Sequence, residues 1–472
     1  MVKTRALALI CVAVVLLAAC GTRNQEAAQQ SQDSNNGGAQ PTTSGTAAPG
    51  GGSDSDFGTM PNPCGENETG AELSESDLGV TADEITITTI SDPGGAKPGL
   101  NQGMFDSMVA FADWCNGFGG INGRKVNVIQ RDGKIFEYQQ RVTEACADSF
   151  ALVGGLGVTD SLGAQTAIDC GLVNVPGAAV SAEQTDADRT YQPLPNPIQE
   201  YQVGSGEWIA DQFPEAPPKA AVIYQQVPAI KYQADRQIEA YTSIGYTFLS
   251  NDAANVGETN WGPLVVNLKN EGAQYMTAVS SFEEVVPLQK EMGAQGYTPA
   301  VTELQTNFYN AKYPELAKEQ GANIDNTYVR LTTWPFEEAD ARPAMATYLE
   351  ALQAAVPDAQ PEQLGVQAFS AGLLFATAAK AAGADLTRDG LIEELKKIHE
   401  WDGGGLHGVS DPGNNVSSPC FIMLKVTYEG FDRVYPLPEE DKDVYEAGDG
   451  MACPPDAHVT LKGDYGTGAK EK

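Results

Sequence analysis

The sequence feature that most constrains the fold is a strand, helix and strand pattern between Glu84 and Asp132. The β-branched run ITITTI precedes a stretch, 104–115, whose large apolar residues recur at the period of one helix face. Three glycines between 117 and 120 should end that helix, and Asn122-Gly123 predicts a tight turn before a second apolar strand. A right-handed crossover of this kind places two strands side by side in parallel and predicts a doubly wound sheet.

The turn between the helix and the second strand also carries a family resemblance. GGINGRKV, residues 119–126, resembles a recurrent signature of the type I periplasmic binding proteins, the ABC-transporter receptors typified by the leucine/isoleucine/valine-binding protein. The resemblance continues in order over roughly 79–436. It implies an α/β fold with two Rossmann-like lobes, each built on a doubly wound parallel sheet, joined by a multi-strand hinge.

Alternating strand and helix patterns after Asp132 give the expected division of the chain. The chain resembles the family's first crossing between lobes around Asn196–Gln202. Lobe 1 is therefore predicted to comprise residues 79–198 plus 332–410, and lobe 2 residues 199–331 plus 411–436. Residues 437–472 are expected to form a C-terminal tail that contains a disulfide.

The N-terminus has the composition of a secretion signal. Lys3 and Arg5 precede an apolar run that is too short to span a bilayer, and the run ends in LAACG. The ending resembles a bacterial lipobox, which predicts a signal peptide over 1–19 and acylation of Cys20; an ordinary signal peptide is the alternative. Residues 20–78 begin with a polar, Gly- and Ser-rich stretch and are expected to form a flexible tether. No later segment is expected to anchor the chain, so the protein should be lipid-anchored on the extracytoplasmic face of the cell membrane.

Charge and cysteine content narrow the partners. A formal net charge of -34 disfavours binding to nucleic acid, because it repels phosphate backbones. Six cysteines lie outside the signal and the lipobox, and an even number in an exported chain predicts disulfides. The positions of the predicted helices and of the C-terminal hairpin favour the pairs Cys146–Cys170 and Cys420–Cys453, which leaves Cys64 with Cys115. A metal site is the alternative, but there is no CxxC and the three histidines lack ligand spacing.

Ligand-binding residues are expected in the loops beyond the carboxyl ends of the strands. In lobe 1 these loops are Ser91–Gly99, Gly154–Ser161 and Pro176–Ser181. The second loop, GGLGVTDS, is close to the dinucleotide fingerprint GxGxxG, but Asp160 stands where the third glycine is needed. Nucleotide binding is therefore disfavoured, and no cofactor is expected.

The family resemblance suggests roles for individual residues. In the amino-acid-binding members, hydroxyls and N–H groups of the second and third loops hold the ligand carboxylate, while an aromatic and an acidic residue of the second lobe meet its ammonium. The candidate residues at the matching positions and beside them are Ser91, Asp92, Leu100, Thr159, Asp160, Ser161, Ala178, Ser181, Tyr224, Ser281, Phe282, Glu303 and Gln305. Leu100 replaces the tyrosine of those receptors, and 177–181 departs from their Ser/Thr pattern. A simple branched-chain amino acid is therefore less favoured than an amide, urea, an aromatic acid or another small polar metabolite.

The predicted function is capture of such a metabolite by hinge closure and delivery to an ABC permease, with the receptor acting as a monomer. A lipoprotein that senses a ligand and reports to a membrane sensor is an alternative with the same fold. An enzyme is not expected, because GxSxG, HExxH and P-loop motifs are missing. Motifs alone leave open a hydrolase that uses a pair of carboxylates.

Overall fold

The strands of this computed structural model fall into two main sheets that follow one another along the chain. The structure describes residues 56–95 and 97–471. The predicted signal peptide, Cys20 and the tether up to residue 55 lie outside the described residues. Residues 84–175 build a four-stranded sheet, and residues 220–435 build a seven-stranded sheet.

Lobe 1 begins with alternating strands and helices around the four-stranded sheet. Its first elements are β1 (Glu84–Ser91), α1 (Gln102–Gly117), β2 (Lys125–Asp132), α2 (Tyr138–Asp148), β3 (Ala151–Val153), α3 (Ser161–Asp169), β4 (Val173–Val175) and α4 (Ala182–Thr185). All four strands are parallel, in the order β2-β1-β3-β4. The crossover predicted from the pattern at 84–132 is therefore confirmed.

Lobe 2 repeats this arrangement on the larger sheet. Its elements are β5 (Glu200–Gln202), α5 (Gly204–Gln212), β6 (Ala220–Gln225), α6 (Pro228–Ser243), β7 (Phe248–Ala254), α7 (Gly262–Glu271), β8 (Tyr275–Val279), α8 (Phe282–Ala294), β9 (Val301–Leu304), α9 (Lys312–Gln320) and β10 (Thr327–Leu331). Strands β6 to β10 are parallel, and every residue of β6, β8 and β9 is buried. Burial on both faces explains why apolar residues predominate in β6 and β8.

The chain then returns to lobe 1 and closes with a hairpin on lobe 2. The remaining elements are α10 (Pro343–Ala355), α11 (Gln363–Ala382), α12 (Arg388–Leu395), β11 (Ile422–Thr427), β12 (Gly430–Tyr435), α13 (Lys442–Ala447) and β13 (His458–Thr460). Helices α10 and α11 pack on α1, whereas β11 and β12 extend the large sheet in antiparallel fashion. Thr387 accepts a hydrogen bond from the N–H of Gly390 and caps α12, as predicted.

The segments that cross between the lobes lie side by side and form the hinge. The Gln202 amide donates to the carbonyls of Ser418 and Cys420, which joins the first crossing to the last. The N–H of Trp334 donates to the Leu406 carbonyl, which joins the second crossing to the chain just before the last. The fold predicted from the sequence, two Rossmann-like lobes on a multi-strand hinge, is confirmed.

The segment just before β1 differs from the expected tether. Residues 56–78 contact lobe 1: the Phe57 ring is fully buried against Trp114 and Phe369, and Cys64 forms a disulfide with Cys115 of α1. Phe57, Cys64 and hydrogen bonds such as that from the Ser76 hydroxyl to the Leu386 carbonyl hold a segment whose composition is otherwise that of a linker. The packed part of the chain therefore begins before residue 79. The other predicted disulfides, Cys146–Cys170 and Cys420–Cys453, are also present.

Helix α11 explains why hydropathy alone can mislead in this chain. Within the described residues it is the one helix long and apolar enough to cross a membrane, yet 83% of its most apolar window is buried inside the protein. Its neighbours include α1, α12 and strands β3 and β4. We interpret it as the central helix of the lobe 1 core.

The last residues of the chain form a connection between the lobes, which we call the C-terminal strap (residues 461–471). At its start, Glu239 of α6 accepts hydrogen bonds from the N–H groups of Lys462 and Gly463 and from the hydroxyl of Tyr465, at 2.5 to 3.3 Å. At its end, Asp188 of lobe 1 pairs with Lys470 and accepts from the N–H of Glu471. The strap therefore spans from lobe 2 to lobe 1.

Candidate functional site

A cavity of about 840 Å³ lies between the two lobes, beyond the carboxyl ends of their strands. Both lobes contribute aliphatic side chains to its walls, beside amide and charged groups. Lobe 1 contributes Leu156, Val158 and Ala178, and lobe 2 contributes Val227, Ile230 and Val279. A concave, mostly apolar space with a few polar groups is typical of small-molecule sites.

The candidate residues of lobe 1 divide into two groups. Leu100 and Ala178 line the cavity. The polar candidates hold the loops instead of facing the cavity. Asp92 accepts from the N–H groups of Ile135 and Val158, and Thr159 donates to the carbonyl of Ile135. These contacts tie the loops after β1, β2 and β3 to one another.

Asp160, Ser91, Ser161 and Ser181 have similar structural surroundings. Asp160 is 1% exposed and accepts from the N–H groups of Val180 and Ser181. Burial raises the pKa of Asp160 to about 6, although these hydrogen bonds oppose the shift. The Ser91 hydroxyl donates to the Asn101 carbonyl, Ser181 caps α4, and Ser161 is the first residue of α3. None of the four side chains belongs to the cavity lining.

The candidates of lobe 2 show the same division. Ser281, Phe282 and Gln305 line the cavity. Glu303 is buried below it and accepts hydrogen bonds from the hydroxyls of Tyr241 and Tyr275, at 2.7 to 3.0 Å. Tyr224 is buried in an apolar cluster of the same lobe. An ammonium role for Glu303 is thus not supported by its position.

The sequence did not predict that a group of polar side chains meets at one end of the cavity. Arg330 of β10 lines the cavity, and its guanidinium donates to the side-chain carbonyls of Gln202 and Gln305, each at 2.9 Å. The Gln305 amide in turn donates to Gln237 and to the hydroxyl of Tyr201. The available signal was an arginine within the otherwise buried strand TYVRL, because such a charge needs a specific partner.

Contacts between the lobes close part of the cavity mouth. Lys97, in the loop after β1, pairs with Glu284 of α8 at 2.8 Å, and both side chains are largely buried at 13% and 7% exposure. The Gln233 amide of α6 donates to the Val180 carbonyl of lobe 1. These two contacts hold strand-end loops of lobe 1 against helices of lobe 2.

The remaining charged groups around the cavity are mostly acidic. They are Asp106, Glu200, Glu283, Lys312, Glu315, Glu319, Asp358 and Glu362. Burial raises the pKa of Glu362 to about 7. Among the residues that the structure describes, no group of three or more His, Cys, Asp or Glu is placed to hold a metal ion.

Comparisons with known proteins agree with this architecture. The sequence profile of a family described as periplasmic binding protein matches residues 84–430. A Leu/Ile/Val-binding protein homolog 1 from Brucella suis is 25% identical over 281 residues, which cover 57% of this chain and 71% of the relative.

Solved structures share the fold at low sequence identity. A fatty acid ABC transporter substrate-binding protein from Thermomonospora curvata has a TM-score of 0.63 at 17% identity, over 78% of this chain and 95% of the other. A branched-chain amino acid transporter substrate binding protein from Streptococcus pneumoniae, in complex with isoleucine, has a TM-score of 0.61 at 15% identity, over 75% and 100% of the two chains. The named relatives are binding proteins rather than enzymes. Since the family profile covers well over half of the sequence, the chain belongs to the type I periplasmic binding protein family.

Proposed function

We propose that this protein is the solute-binding lipoprotein of an ABC importer, anchored through Cys20 on the extracytoplasmic face of the cell membrane. The observation that carries the proposal is the cavity between the lobes, whose walls come from both of them. A small molecule in such a cavity contacts both halves only when they approach each other. The cavity and the hinge are complete within one chain, which supports action as a monomer.

Hinge closure gives the proposed mechanism. A ligand of micromolar affinity contributes about 8 kcal/mol, enough to shift an open and closed equilibrium of a few kcal/mol. The Lys97–Glu284 pair joins the lobes at the mouth and would form only on closure. The closed surface would then be recognised by the permease, and no bond chemistry is needed.

The ligand class can be narrowed by a binding screen. The screen should include amides, urea and aromatic acids, which the sequence favours. It should also include branched-chain amino acids and fatty acids, which the names of the relatives suggest. We would record thermal unfolding of the full chain with each class. An increase in melting temperature that grows with ligand concentration is the expected result. If no class stabilises the protein, the transport proposal loses its support.

Lipid anchoring has a separate test. Cys20→Ala should abolish incorporation of labelled palmitate and release the protein from the membrane fraction. Cys11→Ala is the matched control, because Cys11 lies within the predicted signal core and should leave acylation unchanged. If Cys20→Ala still incorporates palmitate, Cys20 is not the anchor.

Transport and sensing can be separated in cells. Loss of the receptor should abolish uptake of the identified ligand, and cross-linking should recover permease subunits. Normal uptake together with a lost transcriptional response to the ligand would favour the sensor alternative.

A further inference from the structure

Arg330 is the cation at the polar end of the cavity; the charge of the buried Glu303 on the neighbouring strand acts on it, but the two side chains do not form a direct ion pair. Its two terminal nitrogens donate to Gln202 and Gln305, but its buried Nε has no hydrogen-bond partner. Within residues 56–95 and 97–471, no carboxylate lies within ion-pair distance of the guanidinium. A charge in such surroundings is costly unless a charged partner arrives.

The neighbours of Arg330 are fixed in place and stay neutral. The Gln202 amide is held by two backbone carbonyls of the last crossing, and the Gln305 amide by Gln237 and Tyr201. These contacts use the amide N–H groups and leave the side-chain carbonyls directed at the guanidinium. Arg330 is therefore oriented by two neutral amides, and Glu303, the carboxylate whose charge acts on it, is not one of its hydrogen-bond partners.

Part of the cavity wall suits an aliphatic group. Both lobes supply aliphatic side chains, including Leu156 and Val158 on one side and Val227 and Ile230 on the other. A volume of about 840 Å³ equals roughly thirty water molecules at about 30 Å³ each. A short polar metabolite would leave most of these walls in contact with water, whereas an extended chain would bury them.

Resting on the proposed function, we propose that the ligand is an amphipathic monocarboxylate, whose carboxylate pairs with Arg330 and whose aliphatic chain lies along the walls from both lobes. The guanidinium offers the paired N–H geometry that carboxylates prefer. Acidic residues elsewhere around the cavity, such as Glu283 and Glu362, would repel a second negative charge on the ligand. Glu200 also lines the cavity and could receive an ammonium, so the experiment includes an α-amino acid of the same chain length.

The experiment compares three probes of one chain length by calorimetry: octanoate, octanamide and 2-aminooctanoate. The protein is the full chain with Cys20→Ser, so that no acyl chain of its own competes. Octanoate should bind at least about tenfold more tightly than octanamide, because hydrogen bonds between charged groups are stronger than neutral ones. Arg330→Gln should weaken octanoate binding by about tenfold or more and change octanamide binding by less than about twofold.

Two further variants separate a ligand contact from a structural role. Arg330→Lys keeps the charge and should restore part of the octanoate affinity. Lys318→Gln removes one positive charge from an exposed side chain and should leave both affinities unchanged. If Arg330→Gln loses binding of both octanamide and octanoate, the role of Arg330 is purely structural and the proposal is wrong.

The remaining outcomes are equally decisive. Equal affinity for octanoate and octanamide would show that Arg330 does not bind the carboxylate in preference to a neutral amide. Binding of 2-aminooctanoate alone would replace the proposed class by α-amino acids. If none of the probes binds while the thermal screen finds another ligand, this ligand class is wrong and the receptor function stands; if the screen is also negative, both proposals fail.

Discussion

Asp92 and Asp160 are buried carboxylates that hold strand-end loops through backbone N–H groups. Asp160→Ala would leave the N–H groups of Val180 and Ser181 without their acceptor, at a cost of about 1–3 kcal/mol for each buried group. Removal of the buried charge offsets part of this. We expect the free energy of unfolding to fall by about 2 kcal/mol in urea denaturation. Asp325→Ala, at an exposed position, should change it by less than about 0.5 kcal/mol. An unchanged free energy of unfolding in Asp160→Ala would contradict the structural role of Asp160.

Glu362, which lines the cavity, should make the stability of the protein depend on pH. Burial raises its pKa to about 7, with Asp106 and Glu283 adding to the shift, while the N–H of Gly103 and the charge of Lys312 oppose it. The folded state therefore binds a proton more tightly than the unfolded state, whose carboxyl titrates near its ordinary value. The contribution of Glu362 to the free energy of unfolding is therefore fully present at low pH and is lost as the pH rises from about 4.5 to about 7.

The test is the unfolding free energy of the ligand-free protein at several pH values. Wild type should lose about 1–3 kcal/mol more than Glu362→Gln between pH 5 and pH 8. The difference between the two curves cancels the other titrating groups. Parallel curves would show that Glu362 titrates at an ordinary pKa.

At the residue level, the sequence predicted which loops border the cavity, but it did not predict what the individual side chains in those loops do. Thr159, Ser161 and Ser181 were expected to face the ligand, because hydroxyls of the corresponding loops hold the ligand carboxylate in the amino-acid-binding members of the family. The same groups also satisfy the N–H groups and carbonyls of irregular loops, and the sequence does not distinguish the two uses. Arg330 was missed because its partners, Gln202 and Gln305, come from distant parts of the chain.

At the element level, the loop after β1 and the first turn of α8 are coupled by the Lys97–Glu284 pair. Lys97→Met would leave Glu284 largely buried with its N–H partner Gly257 but without its cation. We expect the closed form to lose about 1–3 kcal/mol, and ligand affinity to fall accordingly. The measurements are calorimetric affinity and the radius of gyration by small-angle scattering.

A double-mutant cycle supplies the control for this pair. Lys97→Met combined with Glu284→Gln should weaken binding by less than the sum of the single changes. Strict additivity would mean that the two side chains do not interact in the closed form.

Most elements could be predicted because their patterns are local. The period of α1, the β-branched run of β1 and the cap at Thr387 each need only a short window of sequence. The packing of residues 56–78 was not predictable in this way. Its composition is that of a linker. The sequence predicted its disulfide to Cys115, but the contacts of the Phe57 ring with α1 and α11 are visible only in three dimensions.

At the scale of the whole molecule, the C-terminal strap adds a connection between the lobes outside the region that matches the family profile. Glu239→Ala would remove the carboxylate that accepts from Lys462, Gly463 and Tyr465 and would loosen the start of the strap, where Leu461 and the Tyr465 ring still contact lobe 2. We expect the ligand-free protein to open further, with a larger radius of gyration and a faster association rate. Exposed charged hydrogen bonds of this kind contribute about 1 kcal/mol in total.

The control changes an acidic residue on a helix of the same lobe, away from the strap. Glu319→Ala is unsuitable because Glu319 lines the cavity, whereas Glu271→Ala lies at the far end of α7. An unchanged scattering profile in Glu239→Ala would show that the strap does not restrain the hinge. No pattern in the sequence predicted this connection, because residues 461–471 contain neither a helix nor a strand signal.

The strap also bears on how the protein should be handled at the bench. Asp188 and Arg189 contact Lys470 and Glu471, so a purification tag or fluorescent protein fused after Lys472 would begin one residue beyond a contact with lobe 1. If the strap restrains the lobes as predicted, we expect such a fusion to disturb its contacts and to change the measured affinity. Affinity constants are best determined on protein whose C-terminal tag has been removed, and a fusion at this position would itself serve as a reporter of lobe movement.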